Sequence, residues 1–228
     1  MATTRLSNPL ALAVLTMLYE RPMHPYEMST TLRERNKEDS IKLNYGSLYS
    51  VVAALQKQGF IEVQETVREG KRPERTIYAI TEAGKAKMID WLSELLSVPR
   101  KEFTDFEAAL SLTGALPPDD VLRLLKMRLQ ALEMRRRSKD AVAAGLPPTF
   151  PRIFLIESEF QSALLDAEIE FVRSLIRDMR TGELSGLAPW RRLHELRATD
   201  LPQEKIDAML LAEFPDEMSW QEEMPMGR

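Results

Sequence analysis

The stretch Lys42-Leu43-Asn44-Tyr45-Gly46-Ser47-Leu48-Tyr49-Ser50, continued by Val51-Val52-Ala53-Ala54-Leu55-Gln56-Lys57-Gln58-Gly59, decides the fold. Leu48, Val51, Val52 and Leu55 recur at i, i+3, i+4 and i+7, so one face of a helix is apolar. Asn44 or Ser47 caps its start, and Gly59 stands where a left-handed residue ends a helix. The other face of the first turns carries Tyr45, Ser47, Tyr49 and Ser50, with Lys42 just ahead. Hydroxyls and rings at a helix start bond phosphate oxygens or base edges when that end enters a groove.

Outward from this helix, Phe60-Ile61-Glu62-Val63-Gln64 and Thr76-Ile77-Tyr78-Ala79-Ile80 read as two short strands. Between them lies Arg68-Glu69-Gly70-Lys71-Arg72-Pro73-Glu74-Arg75, whose four basic side chains suit a phosphate backbone. Glu69 and Glu74 partly neutralise this tip, so an ordinary solvated loop is the competing reading. A helix, a hairpin and a basic tip in this order spell a winged helix-turn-helix.

Upstream, Ser7 or Asn8 caps a helix over Pro9–Glu20, with Leu10, Val14, Leu15 and Leu18 on its buried side. A second helix is predicted over Tyr26–Arg35, with Tyr26, Met28 and Leu32 as core contacts. The apolar run Leu10–Leu18 is too short for a membrane span and is followed by no small-residue cleavage pattern. His24 and His194 are the two histidines of the chain, and neither sits among partners that would make a metal site.

With 228 residues the chain has room for one large or two small domains. The absence of cysteine excludes disulfides, thiolate metal sites and a cysteine nucleophile. The net charge of -4 is unevenly spread: residues 1–90 hold 13 Lys/Arg against 11 Asp/Glu, the remainder 18 against 24. Only the first part has a sign suited to nucleic acid, so affinity must come from locally placed charges.

Several stretches together carry a resemblance. Leu10-Ala11-Leu12-Ala13-Val14-Leu15, His24-Pro25-Tyr26-Glu27-Met28, Gly46-Ser47-Leu48-Tyr49, Leu55-Gln56-Lys57-Gln58-Gly59-Phe60-Ile61 and Tyr78-Ala79-Ile80-Thr81-Glu82-Ala83-Gly84 make the chain similar to the PadR family of bacterial transcriptional regulators. Pro25 stands where that family usually has glycine, and Pro73 in the wing is a second departure. The resemblance implies a dimeric repressor with its third helix in the major groove and its wing on the adjacent backbone. It points to Lys42, Asn44, Tyr45, Ser47 and Tyr49 as helix contacts to double-stranded DNA, and to Lys71, Arg72 and Arg75 as wing contacts. Packing against the first helix is the competing reading for Tyr49.

Thr81 caps a further helix through Leu96, with Met88, Trp91, Leu92, Leu95 and Leu96 apolar. The resemblance implies that this helix crosses to a second subunit. Trp91 is therefore a candidate for a pocket that stacks a small aromatic effector, against burial in the interface. Ser97-Val98-Pro99-Arg100-Lys101 breaks the helix. The second half is helical. Leu122, Leu125, Leu129 and Leu132 step by 3, 4 and 3, and Leu165, Ile169, Val172 and Ile176 by 4, 3 and 4. Both seams are expected to pack against each other and against a second copy. The Arg135-Arg136-Arg137 run reads as a solvated helix end.

The expected fold is mostly α with a small β-hairpin wing: a winged helix-turn-helix over residues 5–97, an all-α dimerisation domain over 102–182, and a partly helical extension over 183–228. In that extension Gly182–Pro189 reads as a loop, followed by helices over Trp190–Arg197 and Asp200–Phe214. The expected function is a homodimeric, sequence-specific regulator in the cytoplasm, a repressor relieved by a ligand and bound to a pseudo-palindromic operator. The alternative is a winged-helix protein-interaction module. No Gly-rich phosphate loop, metal-ligand spacing or activated nucleophile is present, so neither an enzyme nor a cofactor or metal is expected.

Overall fold

The computed structural model describes residues 8–41, 45–67 and 75–219. The chain divides into two compact units, residues 1–102 and 103–228.

The N-terminal unit is built around α1 (Pro9–Glu20), whose cap is Asn8: its side chain accepts from the Leu10 amide at 3.0 Å. Every residue from Leu10 to Leu18 except Thr16 is buried, so the buried face is broader than the four-residue stripe anticipated. A helix that is apolar nearly all round belongs at the centre of its unit. Packed on it are α2 (Pro25–Glu34), α3 (Tyr45–Lys57) and α4 (Glu82–Ser97). Leu48, Val52 and Leu55 of α3 are buried against α1, with Val51 at the margin.

Gly59 ends the α3 segment with φ +74°. Its amide donates to Gln56 O at 2.9 Å while the Phe60 amide donates to Leu55 O at 3.0 Å, the paired bonds of a Schellman cap. The chain then turns into β1 (Ile61–Val67), which pairs antiparallel with β2 (Arg75–Ile80) from Ile61↔Ile80 to Val67↔Arg75, with a bulge between Val63 and Glu65. Met23 adds a bridge to the hairpin, exchanging backbone bonds of 3.1 and 3.2 Å with Tyr78. This bridge ties the α1–α2 turn to the base of the wing.

Thr81 caps α4 by accepting from the Gly84 amide at 3.1 Å and donating to Gly59 O at 2.7 Å. Met88 and Trp91 face the core. Leu95 and Leu96, expected on the apolar side, are exposed, Leu96 at 87%. Tyr26, expected in the core, is 61% exposed, because the first turn of α2 is held at the surface while Met28 and Leu32 turn inward.

The second unit is helical: α5 (Asp105–Ser111), α6 (Pro118–Ala144), α7 (Ile156–Thr181), α8 (Leu187–Arg197), α9 (Gln203–Glu213) and α10 (Pro215–Met218). Helices α6 and α7 form an antiparallel hairpin around Val121, Leu125, Leu132, Leu165, Ile169, Val172, Ile176 and Met179. Arg128 pairs with Glu168 on one flank, while Arg173 pairs with Glu133 at 3.0 Å on the other. The arginine run lies two turns inside α6. Its Arg136 is bound by Asp140 and by Asp166, the latter at 2.6 Å.

The last helices differ from expectation at their edges. Helix α8 starts at Leu187, since Pro189 falls in a first turn where its missing amide costs nothing, and Pro215 opens α10 as well as ending α9. Helix α8 is fastened to the start of α6. Trp190 Nε1 donates to Leu116 O at 3.0 Å, Arg191 pairs with Asp119 at 3.1 Å, and His194 Nε2 lies 3.0 Å from Gly114 O.

The hairpin also has a second apolar surface. On α6, Leu124, Met127, Ala131 and Met134 are exposed at steps of 3, 4 and 3. On α7, Phe160, Leu164, Ala167 and Phe171 are exposed at steps of 4, 3 and 4. At about 100° per residue, each stripe lies beyond the flank that carries the Arg128–Glu168 pair, so this ion pair stands between the two stripes.

Candidate nucleic-acid interface

Burial of Leu48, Val52 and Leu55 against α1 fixes the rotation of α3. It turns Gly46, Ser47, Tyr49 and Ser50 to solvent at the N-terminal end of the helix. Tyr49 is 49% exposed and so is not a core residue packed on α1. Ser50 Oγ is occupied, donating to Gly46 O at 2.9 Å. Ser47 remains open to a ligand.

Of the other residues singled out from the sequence, Lys42, Asn44, Lys71 and Arg72 lie outside the described residues, as does the side chain of Tyr45. Arg75 opens β2, exposed, and pairs with Val67 at the end of the ladder away from the helices. The structure brings Arg75 together with Tyr49 and with residues that the sequence reading did not connect to DNA, among them His24, Tyr26, Thr76 and Tyr78. The signal that joins them is the Met23–Tyr78 bridge, which has no sequence pattern of its own.

Trp91 does not line an open pocket. It is 5% exposed and enclosed in the core of the N-terminal unit, because it shares the inward face of α4 with Met88. The seam residues assigned to dimerisation also lie inside the protomer. Leu125, Leu132, Leu165, Ile169, Val172 and Ile176 are buried in the α6–α7 core, with Leu122 and Leu129 packed against it. The apolar side chains that this hairpin leaves exposed are those of its other stripes.

His24 is the N-cap of α2, its Nδ1 accepting from the Tyr26 amide at 3.1 Å. That bond requires Nδ1 unprotonated. Burial lowers the pKa of the ring below its ordinary 6.5, and the nearby Arg75 lowers it further, against a weaker opposing pull from Glu27. A base with a lowered folded-state pKa binds fewer protons folded than unfolded, so stability falls as pH drops through 6.5. Melting temperature measured from pH 7 downward should therefore fall less in His24→Asn, which keeps a cap, than in the parent. Parallel curves for the two proteins would remove His24 from the pH response. At the other end of α2, Arg35 of its C-cap grips Glu20, the last residue of α1, through two bonds of 2.6 and 2.7 Å and lowers its pKa.

Among the described residues there is no group of three or more His, Cys, Asp or Glu that could hold a metal ion. No described helix is long and apolar enough to cross a membrane.

A central buried helix, an exposed helix start and a two-stranded wing define a winged helix-turn-helix of the kind that reads duplex DNA. Residues 14–90 match the model of the transcriptional regulator PadR-like family. Among solved structures, PadR of Bacillus subtilis in complex with operator DNA is 17% identical with a TM-score of 0.58, over 75% of this chain and 99% of that one. The same Bacillus subtilis protein in complex with p-coumaric acid is 15% identical with a TM-score of 0.59, over 75% and 98%. The PadR-like regulator BC1756 of Bacillus cereus is 14% identical with a TM-score of 0.52, over 76% and 99%. At these identities the likeness is one of fold. No curated protein sequence matches the chain.

Proposed function

We propose that the protein is a homodimeric, sequence-specific DNA-binding regulator, a cytoplasmic repressor that a small ligand releases from a pseudo-palindromic operator. The observation that carries the reading is the start of α3: Ser47 and Tyr49 stand in solvent on a helix locked by three buried side chains, beside the exposed Arg75 of the wing. A helix so held enters the major groove as a rigid unit, and its first turn meets base edges. The solved Bacillus subtilis relative bound to operator DNA supports this use of the fold, and its complex with p-coumaric acid supports release by a small ligand.

The exposed stripes of the α6–α7 hairpin support the dimer. Exposed apolar stripes on packed helices mark interaction surfaces, and a two-fold copy of the same hairpin is the simplest cover for them. Two-fold symmetry then sets operator half-sites about one or two helical turns apart.

A gel shift on the DNA upstream of the protein's own gene, at several salt concentrations, tests the proposal. A discrete complex that withstands competitor DNA is the expected result. Smearing alone, or no shift at moderate salt on that fragment or on others from the same locus, would favour a winged helix that binds protein instead.

A further inference from the structure

Helices α8 and α9 take no part in the DNA-binding reading or in the proposed dimer, and between them they hold a small core of their own. Leu196 of α8 is buried with Ile206 and Leu210 of α9, and Leu193 and Phe214 pack against them. Three buried side chains are too few to keep two helices folded in isolation, because a small unit buries too small a share of its surface. The pair is stable only where it is docked, and the dock is one side of α8.

Positions 190, 191 and 194 fall on one side of α8, while 192, 193 and 196 fall on the opposite side. The first side is tied to the connection between α5 and α6. Leu187 enters the hairpin core, and Trp190 packs against that core. Trp190 Nε1 donates to Leu116 O at 3.0 Å, His194 Nε2 donates to Gly114 O at 3.0 Å, and Arg191 pairs with Asp119 at 3.1 Å. Both carbonyls lie between α5 and α6, in neither helix. The second side carries α9: Arg192 holds Glu213 through bonds of 2.8 and 3.0 Å, and Leu193 and Leu196 join the small core.

Helix α5 is thereby held at both ends. Near its start the Arg128 guanidinium lies over the Phe106 ring, 3.7 Å from the centroid. Beyond its end, α8 grips Gly114 and Leu116. The boundary between the two units falls after residue 102, so α5 is the first helix of the second unit.

We infer that α8, with α9 carried on it, is a strap that clamps α5 to the open end of the α6–α7 hairpin. Segments open as units whose free energy follows the contacts they bury, and the strap meets the hairpin through a single helix side. An event at the C-terminal helices thereby reaches the first helix beyond the N-terminal unit.

Hydrogen exchange read by mass spectrometry on the full-length chain tests the strap; it needs no DNA, so its outcome is independent of the DNA-binding reading. Trp190→Phe, Arg191→Gln and His194→Ala are combined, which removes the three ties and keeps an aromatic ring against the hairpin core. Amides of α5 and α9, neither of which carries a substitution, should exchange about ten-fold faster, the scale of one or two net hydrogen bonds. Rates in α1 and in the middle of α6 and α7 should stay at parent values. Arg192→Gln, which loosens α9 from α8, should speed α9 and leave α5 as in the parent. Parent-like exchange of α5 in the triple variant would overturn the clamp. Parent-like exchange of α9 there would overturn it as well, by showing that the pair folds unaided. A rise spread over α6 and α7 would make these helices parts of one indivisible core and not a strap. Faster α5 exchange in Arg192→Gln would count against the clamp too, since α5 would then answer to any loosening and not to the grip of α8.

Discussion

Gly84→Ala is expected to destabilise the N-terminal unit by about 3 kcal/mol, the upper end of what overpacking costs. In an ordinary helix position the same change stabilises by about 0.5–1 kcal/mol, because alanine has less chain entropy to lose. The sign reverses here for want of space. A β-carbon on Gly84 would lie 2.0 Å from Phe60 O and 2.8 Å from Ile80 Cγ1. Phe60 O cannot withdraw freely, since it accepts the Thr81 amide at 3.0 Å. Nor can the helix start, since Thr81 is bound both to the Gly84 amide and to Gly59 O. The turn after α3, the end of β2 and the start of α4 thus meet at a point that admits only hydrogen. Chemical denaturation followed by circular dichroism measures the difference, and a variant as stable as the parent would show that the contact yields. Three kcal/mol is a large share of the roughly 5–15 kcal/mol that holds a domain together. DNA binding should fall with the folded fraction.

The elements most legible in the sequence were those with a single apolar stripe and a distinct end signal. Helix α3 has Leu48, Val52 and Leu55 at helical spacing and Gly59 at its end, and the hairpin has two strands about a Gly- and Pro-bearing tip. Each feature has one physical solution. Tyr26 was misplaced because an aromatic ring beside a core pattern usually packs inward, and only the tertiary bridge at Met23 shows that this turn is a wall of a surface cleft. The cleft itself was illegible for the same reason: its residues near position 25 and position 75 meet through backbone pairing. In the second half, the periodicity of α6 and α7 marks an apolar seam on each helix. It carried no information on which of two stripes faces inward. Alanines at 131 and 167 and methionines at 127 and 134 weaken the second stripe in sequence. The leucine- and isoleucine-rich stripe fills the protomer's own core, and the weaker one is left outside.

Leu164→Glu and Leu165→Glu, neighbours in the chain, should therefore fail in opposite ways. Leu165 is buried between α6 and α7, and an unpaired carboxylate there has no route to water within the hairpin. That variant should lose helical signal and melt early, at a cost comparable to other buried unpaired charges, about 3–5 kcal/mol. Leu164 lies on the exposed face between Phe160 and Phe171, and within the protomer its replacement touches nothing that the fold needs. In a two-fold dimer built on that face, however, both copies would bury the new carboxylate. The association constant should fall by roughly a thousand-fold, equivalent to about 4 kcal/mol, with circular dichroism unchanged. Sedimentation equilibrium reads this directly as a folded monomer. Because the proposed dimer holds two half-sites at once, specific DNA binding should be lost as well, while weak salt-sensitive binding persists. A Leu164→Glu protein that remains dimeric would place the interface elsewhere. The face of α6 and α7 would then need another cover, and the exposed α4 side chains Ile89 and Leu96 would be the next surface to charge.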